Sequence, residues 1–244
     1  MVETSEQLQA DLGPAVAAWP VKDGAWTSRS TGTCRSDVRL YTPTPSTGFA
    51  VNAAVDDLAL SPDGTTLAYA KSDNNRSALK GSCGGDMLVL RNLATGKERV
   101  WSAFGAASAL SSLSWSPDST HLVFEVDTCC ASIPGLFDLD TTTAPVPIEQ
   151  VPRIPVPIDS TTITAPTFVG SRILMLSSGD NTESVIDVKQ HVVFTLQAPG
   201  QALDADASGQ HLLVTLADKS SLLSFTLGSP DATIVGDGYS TARW

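Results

Sequence analysis

Two segments of the chain repeat one another. LALSPDGTTLAY (58–69) and LSWSPDSTHLVF (113–124) match position by position, each an apolar run, a Ser-Pro-Asp turn and a second apolar run. Self-similarity at a spacing of tens of residues points to a repeat architecture before any other property is considered. Pro62 and Pro117 preset φ for the second position of a turn, and Asp63 and Asp118 follow where a type I turn favours them. The flanking runs are too short for helices and predict paired strands.

A weaker third copy is ADASGQHLLV (205–214), and a fourth, TFVGSRILML (167–176), has a shorter turn. Two further strands are expected after each copy. They fall at 86–91 with 98–101, 135–139 with 146–151, 184–188 with 191–196, and 221–226 with 233–235. Between 14 and 244 no segment has helical periodicity; a short helix at 5–12 is the one helical expectation. Four strands per unit, repeated around a ring, predict an all-β fold, a β-propeller.

The expected propeller has five four-stranded blades closed by strands from both termini. Full blades fall at about residues 56–103, 111–158, 162–199 and 201–236, and the closing blade joins 14–52 to 238–244. Residues 1–13 form an N-terminal extension, so 14–244 is one domain. Spread over 244 residues, five blades take about 49 residues each, slightly more than the ~40–45 of WD40 units. A sixth blade would fit if residues 1–35 held further strands.

The motifs Ser61-Pro-Asp-Gly64 and Ser116-Pro-Asp-Ser119 resemble the WD40-like PD40 repeats of TolB-type propellers. More narrowly, DLALSPDGTTLAYA (57–70), VWSAFGAASALSSLSWSPDSTHLVFE (100–125) and the pair Cys129-Cys130 resemble actinobacterial TolB-like propellers. The resemblance covers about residues 36–244. It implies a propeller that follows a membrane anchor outside the cell, and it brings no catalytic residues.

Net charge is −11, from 15 basic and 26 acidic side chains. Nucleic acid is thereby disfavoured as a partner, because its affinity comes from lysines and arginines that neutralise phosphates. Residues 100–117 are uncharged but too rich in serine to span a membrane. Residues 1–10 lack the basic start and apolar run of a signal peptide. Few lysines and an abundance of Ser, Thr, Pro and Gly suit a location outside the membrane.

Cys34, Cys83, Cys129 and Cys130 fall in or beside connections between second and third strands of three neighbouring blades. Such connections emerge on one face, which makes the four cysteines disulfide candidates there; Cys34–Cys83 with Cys129–Cys130 is one of three pairings. Free thiols and a zinc site are the alternatives, although no CxxC is present. On the same face the polar segment 72–85, with Asp73, Asn74, Asn75, Arg76 and Lys80, is a candidate binding loop.

No GxSxG, HExxH, Walker or GxGxxG motif occurs, so neither a cofactor nor a catalytic constellation is expected. His121 and His211 sit at equivalent strand starts, which favours a repeated structural role. Asp204 aligns with Ala59 and Ser114 on the innermost strand, where a charge is costly unless paired, and Arg243 aligns with the same position one blade on. The two form a candidate channel pair. The expected function is a non-catalytic extracytoplasmic binding or scaffold propeller, for a protein, a cell-envelope component or a small ligand. One alternative is a polysaccharide hydrolase or lyase using Asp56, Asp57 and Asp204 at the channel mouth. Another is the sensor domain of a longer membrane-anchored regulator.

Overall fold

Both Ser-Pro-Asp segments fold as hairpins, and the same side chains close each turn. Ser61 Oγ donates to Asp63 Oδ1 (2.6 Å), which also accepts the Thr65 N–H (2.9 Å), while Ser61 Oγ accepts the Thr66 N–H (2.9 Å). In the second copy Ser116 Oγ donates to Asp118 Oδ1 (2.6 Å) and accepts the His121 N–H (2.8 Å). The motif therefore needs serine and aspartate in these places, because they satisfy the backbone that the turn leaves unpaired. The fourth turn residue is left-handed, with φ of 72° at Gly64 and 61° at Ser119. Nothing lies within 4 Å of a Cβ built on Gly64, so Gly64→Ala tests the backbone alone. It should cost about 1 kcal/mol, read as a lower urea midpoint at unchanged slope.

The computed structural model describes residues 17–21, 24–32, 35–41, 48–72, 86–102, 108–128, 135–155, 162–178, 183–189, 191–196, 200–205, 210–216, 222–227 and 232–236. Among these residues the strands form five antiparallel sheets, each running up and down in chain order. The first holds β1 (Ala17–Val21), β2 (Gly24–Gly32), β3 (Arg35–Tyr41) and β4 (Gly48–Val51). The second holds β5 (Val55–Leu60), β6 (Thr66–Ser72), β7 (Asp86–Asn92) and β8 (Glu98–Trp101). The third holds β9 (Ser108–Trp115), β10 (His121–Thr128) and β11 (Gly135–Asp140). In the fourth are β12 (Thr162–Val169), β13 (Arg172–Ser178), β14 (Glu183–Asp187) and β15 (Val192–Leu196). In the fifth are β16 (Gly200–Ala205), β17 (His211–Leu216), β18 (Leu222–Thr226) and β19 (Ala232–Gly236).

Two expectations need adjustment. The first sheet takes four strands from residues 17–51, with β1 at the edge for which 238–244 was expected; residues 5–12 and 238–244 lie outside the described residues. The strand expected at 146–151 is instead a turn of 3-10 helix, Ile148–Gln150. The edge of the third sheet is reached just afterwards. Arg153 bridges Phe137, the Asp138 N–H donates to Pro152 O (3.0 Å), and the Ile154 N–H donates to Leu136 O (2.9 Å). Prolines at 152 and 155 keep that contact short, since neither can donate to a ladder.

Side chains alternate between two interfaces. On β6, Leu67 and Tyr69 pack toward the first sheet with Trp26, Val38 and Val89, while Ala68 and Ala70 pack toward the third. On β10, Leu122, Phe124 and Val126 face back to the second sheet, and Val123 faces forward with Ile163, Met175 and Ile186. On β13, Met175 looks back while Leu174 and Leu176 pack forward with Leu203, Leu212 and Phe225. The middle strands are consequently buried on both faces, which is why their sequences read as continuous apolar runs. Sheet size is matched across the second interface: small Ala59, Ala68 and Ala70 meet large Trp115 and Phe124.

Candidate functional site

The first strand of each sheet lies next to the first strand of the following one, β1 to β5 to β9 to β12 to β16. These inner strands run in the same direction. Turn meets turn, since the Asp63 N–H donates to Ser119 Oγ (3.1 Å), and the order of contacts is the same along both strands, Asp57 with Leu113 and then Ala59 with Trp115.

Each of β5, β9, β12 and β16 is irregular where it pairs with its second strand, near the start in β5 and β16, at 112–113 in β9 and at 165–166 in β12. Ser112 and Ala165 adopt left-handed φ there, 58° and 53°. A bulge takes backbone groups out of the ladder, and they need other partners. The preceding sheet supplies them. Asp57 Oδ2 accepts the Leu113 N–H (3.0 Å), and Glu125 Oε2 accepts the Ala165 N–H (3.1 Å). Ser36 Oγ accepts the Val55 N–H (3.0 Å), and Ser28 Oγ donates to Val55 O (2.8 Å). Further along, Ser114 Oγ accepts the Phe168 N–H (3.1 Å), Thr167 Oγ1 donates to Leu203 O (2.9 Å), and Trp115 Nε1 donates to Ala59 O (3.1 Å). Every joint between consecutive sheets thus carries side-chain-to-backbone pins.

The carboxylates at this end differ in setting. Glu125 is buried; burial pushes its pKa up and the charge of Asp127 adds to that. Asp56 is also raised, first by the protein around its carboxyl and then by Asp57. Asp57 additionally accepts the Leu58 N–H (2.8 Å). Both Asp57 and Glu125 spend an oxygen on the next sheet's backbone, which fixes them as structural acceptors. Among the described residues no group of three or more His, Cys, Asp or Glu is placed to hold a metal ion.

Of the carboxylates singled out from sequence, Asp56 and Asp57 stand together at the start of β5. Asp204 lies on β16, buried opposite Leu213 and engaged by a partner, in the position that Ala59, Ser114 and Thr167 occupy on their strands. Cys34, Cys83, Cys129, Cys130, Asp73, Asn74, Asn75, Arg76, Lys80 and Arg243 lie outside the described residues. The strands that precede the second-to-third connections end at Gly32, Ser72 and Thr128. His121 pairs with Asp138 (2.9 Å) and His191 with Asp187 (3.2 Å).

Glu125, Ser28, Ser36 and Thr167 were not singled out from sequence. For Glu125 a signal existed: it is the one charge within the apolar run Leu122 to Val126. A second, half-buried cluster links the first two sheets. Glu98 receives the Tyr69 hydroxyl (2.7 Å) and Arg91 (2.8 Å), and Arg91 lies over the Phe49 ring at 4.0 Å. Burial raises the Glu98 pKa, but Tyr69, Arg91 and Lys71 together outweigh it and hold the carboxyl low.

No protein family and no curated protein matches the chain by sequence. Solved structures match it in fold. TolB from Acinetobacter baumannii superposes with TM-score 0.62 at 15% identity, over 86% of this chain and 50% of that one. A β-propeller domain from Myceliophteria thermophila gives TM-score 0.57 at 16% identity, over 91% and 71%. An oligogalacturonate lyase from Vibrio parahaemolyticus gives 0.62 at 12% identity, over 91% and 64%. The chain spans half the length of the TolB chain and under two thirds of the lyase. At these identities the likeness is one of fold, a β-propeller.

Proposed function

We propose that the chain is a non-catalytic, extracytoplasmic binding or scaffold propeller of five blades, which receives a protein or cell-envelope component on the face where the inner strands begin. The observation that carries this reading is the use of the inner carboxylates. Asp57 and Glu125 are committed to backbone N–H groups of the next sheet, whereas a glycosidase needs carboxylates free to exchange protons with substrate. First strands pinned to the preceding sheet in this way give the longer connections a fixed scaffold, an arrangement that suits binding loops. The segment 73–85, with Asp73, Asn74, Asn75, Arg76 and Lys80, is the proposed contact. Disulfides among Cys34, Cys83, Cys129 and Cys130 would restrain the same rim, and Asp204 with Arg243 would secure ring closure.

The lyase among the fold neighbours keeps an enzyme reading in view, with Asp56 as its acid. Fold alone does not choose between them. A photo-crosslinking residue placed at 75 or 80, and as a control at 95 on the opposite end, tests the proposal in cells of the source organism. Crosslinks from 75 or 80 to one defined partner, and none from 95, are expected. Equal crosslinking from both ends would overturn the assigned face. Turnover of a polyuronate by the purified chain, abolished in Asp56→Asn, would overturn the non-catalytic assignment.

A further inference from the structure

The joint between the third and fourth sheets differs from its neighbours. At the first joint the acceptor for the bulge N–H is a serine hydroxyl, Ser36; at the second it is the half-buried Asp57. At the third it is Glu125, which is 8% exposed. Its Oε2 is held by the Ala165 N–H at 3.1 Å and approached by the Ser112 hydroxyl at 3.5 Å. Both contacts come from left-handed bulge residues of the two inner strands it lies between.

No cation offsets this carboxylate on those strands. β9 (SALSSLSW) and β12 (TITAPTFV) contain no titratable side chain. On β11 Glu125 stands opposite Leu136, and that strand's Asp138 and Asp140 lie toward the other end, where Asp140 faces His121. On its own strand the neighbour is Asp127, a like charge. Asp56 and Asp57 on β5 belong to the preceding joint.

We propose that Glu125 makes this joint a pH-responsive clasp, which tightens when mild acid protonates the side chain. The proton comes from solvent and settles on Oε1, leaving Oε2 as a carbonyl oxygen. Oε2 keeps the Ala165 N–H and the Ser112 hydroxyl, so neutralisation removes the cost of a buried charge without removing either contact. The sign follows from linkage. A carboxyl raised in the closed joint favours closure fully at pH below the ordinary carboxyl range, and that contribution is lost as pH rises through the raised value. Asp63, Asp118, Asp140 and Asp187 have lowered values and act oppositely, losing their contribution as pH falls. Whole-protein melting therefore blends the two, and the test must read the joint itself.

That reading is the exchange protection of the Ala165 amide, corrected for intrinsic exchange, at pH 7.5 and pH 5 on the intact chain. A proton bound more tightly in the closed joint makes opening rarer in acid, so protection should rise severalfold from pH 7.5 to pH 5. Glu125→Gln keeps the acceptor without the charge and should show high protection that is flat with pH. Direct titration of the Glu125 carboxyl carbon by NMR needs no substitution and should give a midpoint above the ordinary glutamate range. Protection of Ala165 that is unchanged between the two pH values, or a Glu125 midpoint in the ordinary range, would overturn the clasp.

Discussion

Phe124→Ala should remove about 3–5 kcal/mol of stability, the range found when a buried aromatic ring is truncated. The ring is fully buried on β10 and faces the second sheet. It stacks on Phe137 with centroids 5.4 Å apart and planes 12° apart. Its surroundings include Trp101, Leu88 and Leu90 from the second sheet, so the cavity would open in the interface and not inside one sheet. Since domains of this kind have roughly 5–15 kcal/mol to lose, the variant should sit near its unfolding threshold at physiological temperature. Urea unfolding followed separately by tryptophan fluorescence and far-UV dichroism checks both size and extent. Coincident curves shifted together mean that the sheets melt as one unit. A loss under 1 kcal/mol would show that the second interface is not the main core.

That interface was legible in outline. Its hairpins announce themselves because the turn is local: serine, proline and aspartate at fixed spacing determine it without help from the rest of the chain. The strands that follow were also readable, and β7, β8, β11 and β14 fall within a residue or two of expectation. What could not be read depends on the neighbouring sheet. β2 is rich in Ser, Thr and Gly, and its Ser28, at 0% exposure, is buried for a hydrogen bond to another sheet. Period-two hydrophobicity carries no trace of such a residue. The stretch VPIEQV (146–151) alternates like a strand, yet Pro145 and Pro147 restrict φ and remove donors, and the edge contact slides on to 152–154.

The candidate site divides the same way. Asp56 and Asp57 were chosen for their place on an inner strand, and they do stand at its start. Asp57 then proved to be a pin, because the demand it meets, a bulge N–H on β9, arises only when two sheets come together. Glu125 meets the same demand from a second strand. A carboxylate in an apolar run is therefore as much a sign of a backbone group needing an acceptor as of chemistry.

The serine pins of the first joint give the other large effect. Val55 is buried at the start of β5, and both of its backbone groups are held by the first sheet, its N–H by Ser36 and its carbonyl by Ser28. Ser36→Ala leaves a buried donor with nothing to bond and should cost about 1–3 kcal/mol. Ser28→Ala should cost less, because a carbonyl tolerates an unmet lone pair better than a buried N–H tolerates isolation. The two act on one residue, so the double variant should deviate from additivity by about 0.5 kcal/mol or more. Denaturant curves for the two singles and the double measure this. Ser36→Thr, which keeps the hydroxyl, separates loss of the bond from loss of fit and should recover most of the stability. Amide exchange adds the location of the damage: β5 and the facing β2 and β3 should lose protection first, while β13, two sheets away from β5, keeps its own. Uniform loss across all five sheets would mean that the first joint opens only when the whole molecule does, and the pins would then contribute to global stability instead of holding one sheet to the next.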